Sequence, residues 1–426
     1  MVRRLCAAAL LLLAASAASA QTLAVRAGRV IDPEKGRILT DQLIHIQDGR
    51  IVSVSPWSDG PQTGGAVLDW SRYTVLPGLI DLHTHIADGF ATASDPAEPL
   101  KHSEAETILK GAEAARTMLR AGFTTVRDVG VYRGLTDVAL RDAIARGWVQ
   151  GPRMFVAGGY ITVPGGGGAV SGLAPDVQVP PTFRVGEVRN PGEARDRARY
   201  LLDNGADFIK LIATGAVLAV GSEPGALELS PEEMKAACDE AQLRGSYCIA
   251  HAHGAAGIKA AIRAGARTIE HASYLDPEGI ALAKANGVWL DMDIYNGDWI
   301  DEFGTKAGWP AEYLRKNRET TDVQRRGFAA ALRAGAKLTF GSDAAVYPYG
   351  LGGRQFAYMV RFGMTPLQAI QSATVEAARA LKQDGKLGSL SPGAAGDLIA
   401  VRGDPLADVR ALETVQAVVK GGQLVD

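Results

Sequence analysis

Five short motifs carry side chains suited to holding a divalent metal: His83-Thr84-His85, Lys210 within Phe208-Ile209-Lys210-Leu211-Ile212, His251-Ala252-His253, Glu270-His271 and Gly341-Ser342-Asp343. Residues two apart on a strand project from the same face, so His83 and His85 can share one ion. The chain has seven histidines, and five of them fall in these motifs. Imidazole with carboxylate is the donor set that Zn²⁺ favours, and Mn²⁺, Co²⁺ or Fe²⁺ would fit it too. Lys210 is a charge amid apolar neighbours, and an ammonium has no lone pair for a metal. His45 and His102 lie elsewhere and read as structural.

Such motifs act together only if the fold gathers them. Between residues 76 and 387 a helical pattern repeatedly runs into a glycine and then a short apolar strand. Gly122 precedes Thr124–Asp128, Gly205 precedes Phe208–Ile212, and Gly245 precedes Tyr247–His251. Gly265, Gly287 and Gly335 precede Arg267–His271, Trp289–Asp293 and Leu338–Asp343 in the same way. Glycine suits the position just past a helix, where positive φ penalises other residues. Ser230-Pro231-Glu232-Glu233, Asp276-Pro277 and Thr365-Pro366 read as helix starts. With Gly78–His83 and Met154–Ala157 there are eight candidate parallel strands, and each motif sits at or near a strand's C-terminal end. The pattern predicts the α/β class and a (β/α)₈ TIM-type barrel, whose active-site face is built at those ends. A doubly wound sheet is the alternative, but no glycine-rich dinucleotide fingerprint follows the first strand. Residues 21–75 and 388–426 read as short strands and turns, which predicts a small β-sandwich domain built from both chain ends.

The 426 residues are 47% hydrophobic and 22% charged, as in globular proteins and unlike disordered or coiled-coil chains. A net charge of −2 provides no basic field for nucleic acid. Residues 1–20 read as a signal peptide: Arg3 and Arg4, an apolar run from Leu5 to Ala15, and the small residues Ala18-Ser19-Ala20. Cys6 lies before the leucines, which argues against lipid anchoring, and no later segment is apolar enough to span a bilayer. The expected location is periplasmic or secreted. Cys238 falls in a helical pattern and Cys248 in an apolar strand pattern, which favours two buried free thiols over a disulfide.

Pro77-Gly78-Leu79-Ile80-Asp81-Leu82-His83-Thr84-His85, Lys210, the two later histidine strands and Gly341-Ser342-Asp343 resemble the metal-dependent amidohydrolase superfamily. The details are most similar to its imidazolonepropionase-like branch, which includes Xaa-Pro dipeptidases and ochratoxin-hydrolysing amidohydrolases. The resemblance implies two divalent ions, Zn²⁺ first: His83, His85 and Asp343 for the more buried one, His251 and His271 for the other, and a CO₂-derived carbamate on Lys210 between them. It implies a metal-bridging hydroxide as nucleophile and Asp343 as proton shuttle. His253 projects from the same strand end as His251 and reads as a catalytic or carbonyl-binding group beside the metals, with a third metal ligand as the alternative. It also implies a homo-oligomer. Gly167 departs from the Gly-Gly-His-Gly that relatives often carry, which separates the chain from direct prolidase specificity. Tyr295, Trp299 and Trp309 are candidates for an aromatic substrate wall, and Tyr347, Tyr349 and Arg354 for holding a substrate carboxylate. The expected reaction is hydrolysis of an amide bond in an N-acyl amino acid or dipeptide, ochratoxin A (a phenylalanine amide) included. Xaa-Pro dipeptidase and then lactone or cyclic-imide hydrolysis are the competing activities. A noncatalytic exported binding protein is the competing class, and it would be expected to have a damaged ligand set.

Overall fold

The computed structural model describes residues 22–59, 67–88, 95, 97–174 and 176–426. The leader assigned to residues 1–20 lies outside the described residues. Four strands open the described chain: β1 (Thr22–Asp32), β2 (Arg37–Gln47), β3 (Arg50–Pro56) and β4 (Val67–Pro77). Three close it: β14 (Leu398–Val401), β15 (Val415–Lys420) and β16 (Gln423–Leu424). Both ends join in one seven-stranded sheet of order β16-β15-β14-β4-β1-β2-β3. The seam is antiparallel, with Ile399 opposite Leu76. A separate apolar core underlies it, with Val25, Ile44 and Trp70 from one end and Leu398 and Val419 from the other. Among the described strands the hydrogen bonds thus join both chain ends in one continuous sheet.

Between the ends run β5 (Leu79–Thr84), β6 (Phe123–Asp128), β7 (Arg153–Val156), β8 (Tyr160–Ile161), β9 (Ile209–Ile212), β10 (Cys248–Ala252), β11 (Thr268–His271), β12 (Trp289–Asp291) and β13 (Lys337–Thr339), every neighbouring pair parallel. The six glycines read as helix ends all have positive φ, for example 102° at Gly265, which caps the helix Ala255–Ala264. Ser230 and Thr365 form reciprocal capping boxes with Glu233 and Gln368.

The ring is not one closed sheet, contrary to expectation. It falls into an arc of three strands, β5-β6-β7, and an arc of six, β8 to β13. The third strand position is broken at Gly158-Gly159, where Gly158 takes φ 73°. The half before the break pairs with β6 and the half after it with β9. At the other seam β13 ends at Thr339, yet Leu82 N donates to Phe340 O (3.0 Å) and Asp343 N to His83 O (2.8 Å). These bonds bring the Asp343 segment alongside the histidines of β5. No described helix is long and apolar enough to cross a membrane.

Cys238 and Cys248 form a disulfide, contrary to the free-thiol expectation (Cα–Cα 5.2 Å). The helix Pro231–Leu243 ends at a glycine turn that folds β10 straight back beneath it, so the two buried side chains meet across the helix–sheet interface. Cross-linking residues ten apart restricts the unfolded chain. Replacing both by serine should therefore lower unfolding stability by about 2–4 kcal/mol in denaturant titrations. An unchanged midpoint would show that the cross-link contributes nothing.

Candidate metal centre

His83 on β5 and His85 just past its end face the same cavity, in keeping with the two-residue period. His83 Nδ1 lies 3.0 Å from Glu270 Oε2. Glu270 is itself fixed by the fully buried Arg127, whose Nη2 donates to both carboxylate oxygens at 3.0 Å. A carboxylate at Nδ1 demands a proton there, which leaves the Nε2 lone pair of His83 free. His271 repeats the device with Asp293, both of whose oxygens lie 3.0 Å from Nδ1. His85 Nδ1 sits 3.0 Å from Gly130 O. His251 is reversed: its Nε2 faces Gly215 O at 3.2 Å, so Nδ1 is its free donor. His253 Nδ1 meets Ser273 Oγ at 2.8 Å.

These free nitrogens converge. Asp343 Oδ1 is 3.4 Å from His83 Nε2 and 3.5 Å from His85 Nε2, while its Oδ2 accepts from Asn296 Nδ2 at 3.1 Å. Ligand atoms of His83, His271 and Asp343 lie within 4.8 Å of one another, as do those of His251, His253 and His271. His271 belongs to both groups. Burial first, then neighbouring cations, holds His83, His251 and His253 well below the ordinary imidazole range, in the neutral form a metal needs. At Asp343 burial acts upward, but the His85 hydrogen bond and the facing histidines outweigh it and bring the carboxyl to about 2. His271 (φ 66°), Ala272 (50°), Asp343 (58°) and Ala345 (118°) all take left-handed backbone, so conformational strain collects at this centre.

Lys210, on β9, is 1% exposed and faces the same cavity, and its Nζ has no hydrogen-bond partner among the described residues. Burial lowers the amine to about 8, the buried carboxylates only partly opposing it. A buried, unpartnered ammonium is costly, so the position suits a lysine altered to an oxygen ligand.

Residues 74–425 match the model of the amidohydrolase family. The chain belongs to that family. Ochratoxinase of Aspergillus niger is 30% identical, across 97% of this amidohydrolase and 88% of the relative. An imidazolonepropionase of Sphingopyxis alaskensis is 24% identical, across 85% and 86%. The crystal structure of a Xaa-Pro dipeptidase with bound methionine superposes with a TM-score of 0.89 at 34% identity, covering 95% of this chain and 99% of that one. The amidohydrolase is accordingly a hydrolase acting on amide bonds.

Of the candidate substrate contacts, only Gly167 lines the cavity among the described residues. Its N–H donates to Glu228, and a Cβ there would lie 3.0 Å from Ala216 Cβ. Tyr295 and Tyr347 are instead buried against each other, ring centroids 5.1 Å apart, and Arg354 donates to the Tyr295 hydroxyl at 3.0 Å. Trp299 stacks on Phe303, and Trp309 is buried beside that ring. Tyr349 donates to His85 O, supporting a ligand segment rather than facing the cavity. Several side chains that support the centre belong to no motif in the sequence: Asp293, Arg127, Asn296, and Gln324, which donates to Asp293 at 2.8 Å; Glu270 enters only as part of Glu270-His271.

Asp293 should matter through His271. Asp293→Asn removes the charge that sets the ring's tautomer, and metal affinity should fall about 10–100-fold in chelator competition. Wild-type affinity would remove Asp293 from the support of the centre.

Proposed function

We propose that the chain is an exported binuclear amidohydrolase that cleaves the amide bond of N-acyl amino acids or dipeptides. The observation that carries this reading is the unpartnered, buried Nζ of Lys210, facing the cavity that the free nitrogens of four histidines and Asp343 also face. CO₂ adds to the neutral amine with loss of one proton, forming an N–C bond and an anionic carbamate. In this reading His83, His85 and Asp343 would hold one cation, His251 and His271 the other, and the Lys210 carbamate would supply the pair with an anionic oxygen donor. A pair of divalent cations, Zn²⁺ first, supplies Lewis acidity and lowers the pKa of bound water toward neutrality.

Asp343 takes the proton of the attacking water and delivers it to the leaving amine. Asn296 orients the Asp343 oxygen that the histidines leave free. His253, held by Ser273, orients the substrate carbonyl. Ile212, Val217, Leu218, Ile300 and Val346 give the cavity an apolar wall, which suits a bulky apolar side chain such as the phenylalanine of ochratoxin A. The names of the relatives point the same way. Export is supported by the basic-then-apolar leader and by the disulfide, a bond typical of oxidising compartments.

The test is metal content per chain together with hydrolysis of Xaa-Pro dipeptides, N-acyl-phenylalanines including ochratoxin A, and a lactone. About two metals per chain are expected, with amino-acid release that chelation abolishes and Zn²⁺ restores. Release of proline alone would favour the Xaa-Pro dipeptidase reading, to which the 34% identical structure lends weight. No release from any substrate by metal-loaded protein would overturn the proposal.

A further inference from the structure

The cavity is charged unevenly. Among its described lining residues Lys210 is the sole lysine or arginine, whereas Asp88, Asp95 and Glu98 line it on the side that follows β5. Two of these three are already satisfied. Lys101 pairs with both Asp95 and Glu98, and His102 lies 3.0 Å from Glu98. Asp88 differs: it forms no ion pair among the described residues, and its Oδ1 accepts only the Tyr132 backbone N–H, at 3.0 Å. Two aromatic rings, Tyr132 and Tyr160, line the cavity with it, in an edge-to-face pair 5.6 Å apart. The Tyr160 hydroxyl is committed to Gly130 O and His85, which fixes that ring in place.

A buried carboxyl with no lysine or arginine paired to it among the described residues and only the His85 ring as a neighbouring cation, set beside aromatic rings in a substrate cavity, is the chemistry that recognises an organic ammonium. We propose that Asp88, with Tyr132 and Tyr160, is the subsite for a protonated amine on the substrate. The inference rests on the amide-hydrolase reading of the same cavity and narrows it. A dipeptide with a free α-ammonium, or an amide with a basic side chain, should be preferred over a blocked N-acyl amino acid.

The two sources of ammonium are separated by matched substrates: Ala-Phe against N-acetyl-Ala-Phe, and N-acetyl-Lys-Phe against its norleucine counterpart. Metal-loaded wild-type protein should favour the charged member of at least one pair by about tenfold or more in kcat/KM. Asp88→Asn keeps an acceptor for the Tyr132 N–H but lacks the charge, so the ratio should collapse toward unity. Binding of the same pairs to the Asp343→Asn variant, read by calorimetry, gives the preference without turnover. Equal kcat/KM and equal Kd within both pairs would overturn the subsite, as would a preference that survives Asp88→Asn. A binding preference without hydrolysis of any member would leave the subsite standing and sink the hydrolase reading. Should Asp88→Asn fail to fold, Tyr132→Leu must lower the same ratio, and an unchanged ratio there overturns the proposal.

Discussion

Asp343→Asn should lower kcat by about 10²–10⁴-fold while leaving the thermal unfolding midpoint close to wild type. The carboxylate lies within 3.5 Å of two histidine nitrogens and is kept ionised far below neutrality, so it stands ready to receive a proton throughout the physiological range. Asparagine has nearly the same shape and can still partner Asn296, but its amide neither accepts a proton near neutrality nor carries the charge a cation seeks. The fold should tolerate the change. Asp343 N donates to His83 O, a backbone bond that the substitution keeps, and asparagine adopts the left-handed conformation at φ 58° as readily as aspartate. Steady-state kinetics should be paired with metal analysis, because the residue is read as both ligand and proton carrier. Lost turnover at full metal content isolates the proton transfer; lost turnover with lost metal identifies chiefly a ligand. Wild-type kcat at full metal content would remove the shuttle role.

The sequence exposed the centre well because its strands are short and punctuated. A glycine at a helix end marked the start of β9, β10 and β11, and Pro77-Gly78 marked the start of β5, so Lys210, His251, His271 and the His83/His85 pair could be located. What stayed hidden depends on contacts remote in sequence. The break at Gly158-Gly159 divides a strand position only because its halves find different neighbours. The disulfide depends on how tightly a helix folds back on its strand. Tyr295, Tyr347 and Arg354 have the chemistry of substrate contacts, but the loops after β12 and β13 turn them against one another. Conversely Asn317, Thr320 and Gln324 belong to no motif in the sequence, yet the helix Ala311–Arg333 turns them into the cavity. Polarity in a sequence does not distinguish bulk water from a wet site.

Lys210→Met gives the sharpest separation between a structural lysine and an altered one. Methionine matches the length of the stem and suits an apolar strand, so it removes a buried amine that has no partner. If Lys210 only fills space, the variant should keep its metal and its activity. If it carries a carbamate, both should fall together: metal per chain from about two toward one, and kcat/KM by about a hundredfold or more, the scale on which a single preorganised charge is felt. Stability should move the other way, with an unfolding midpoint equal to or above that of wild-type protein measured after chelation. Lys210→Ala supplies the converse test, since it leaves room for a small carboxylate; added acetate or propionate should restore part of the metal content and activity. Native mass spectrometry of the wild type should find the mass of one CO₂ added to the metal-loaded chain and lost on acidification. The amine held near 8 retains a neutral, nucleophilic fraction at neutral pH, so bicarbonate should speed reconstitution of the chelated protein. Two metals and full activity in Lys210→Met would mean that the two ions are held without a bridge from this residue.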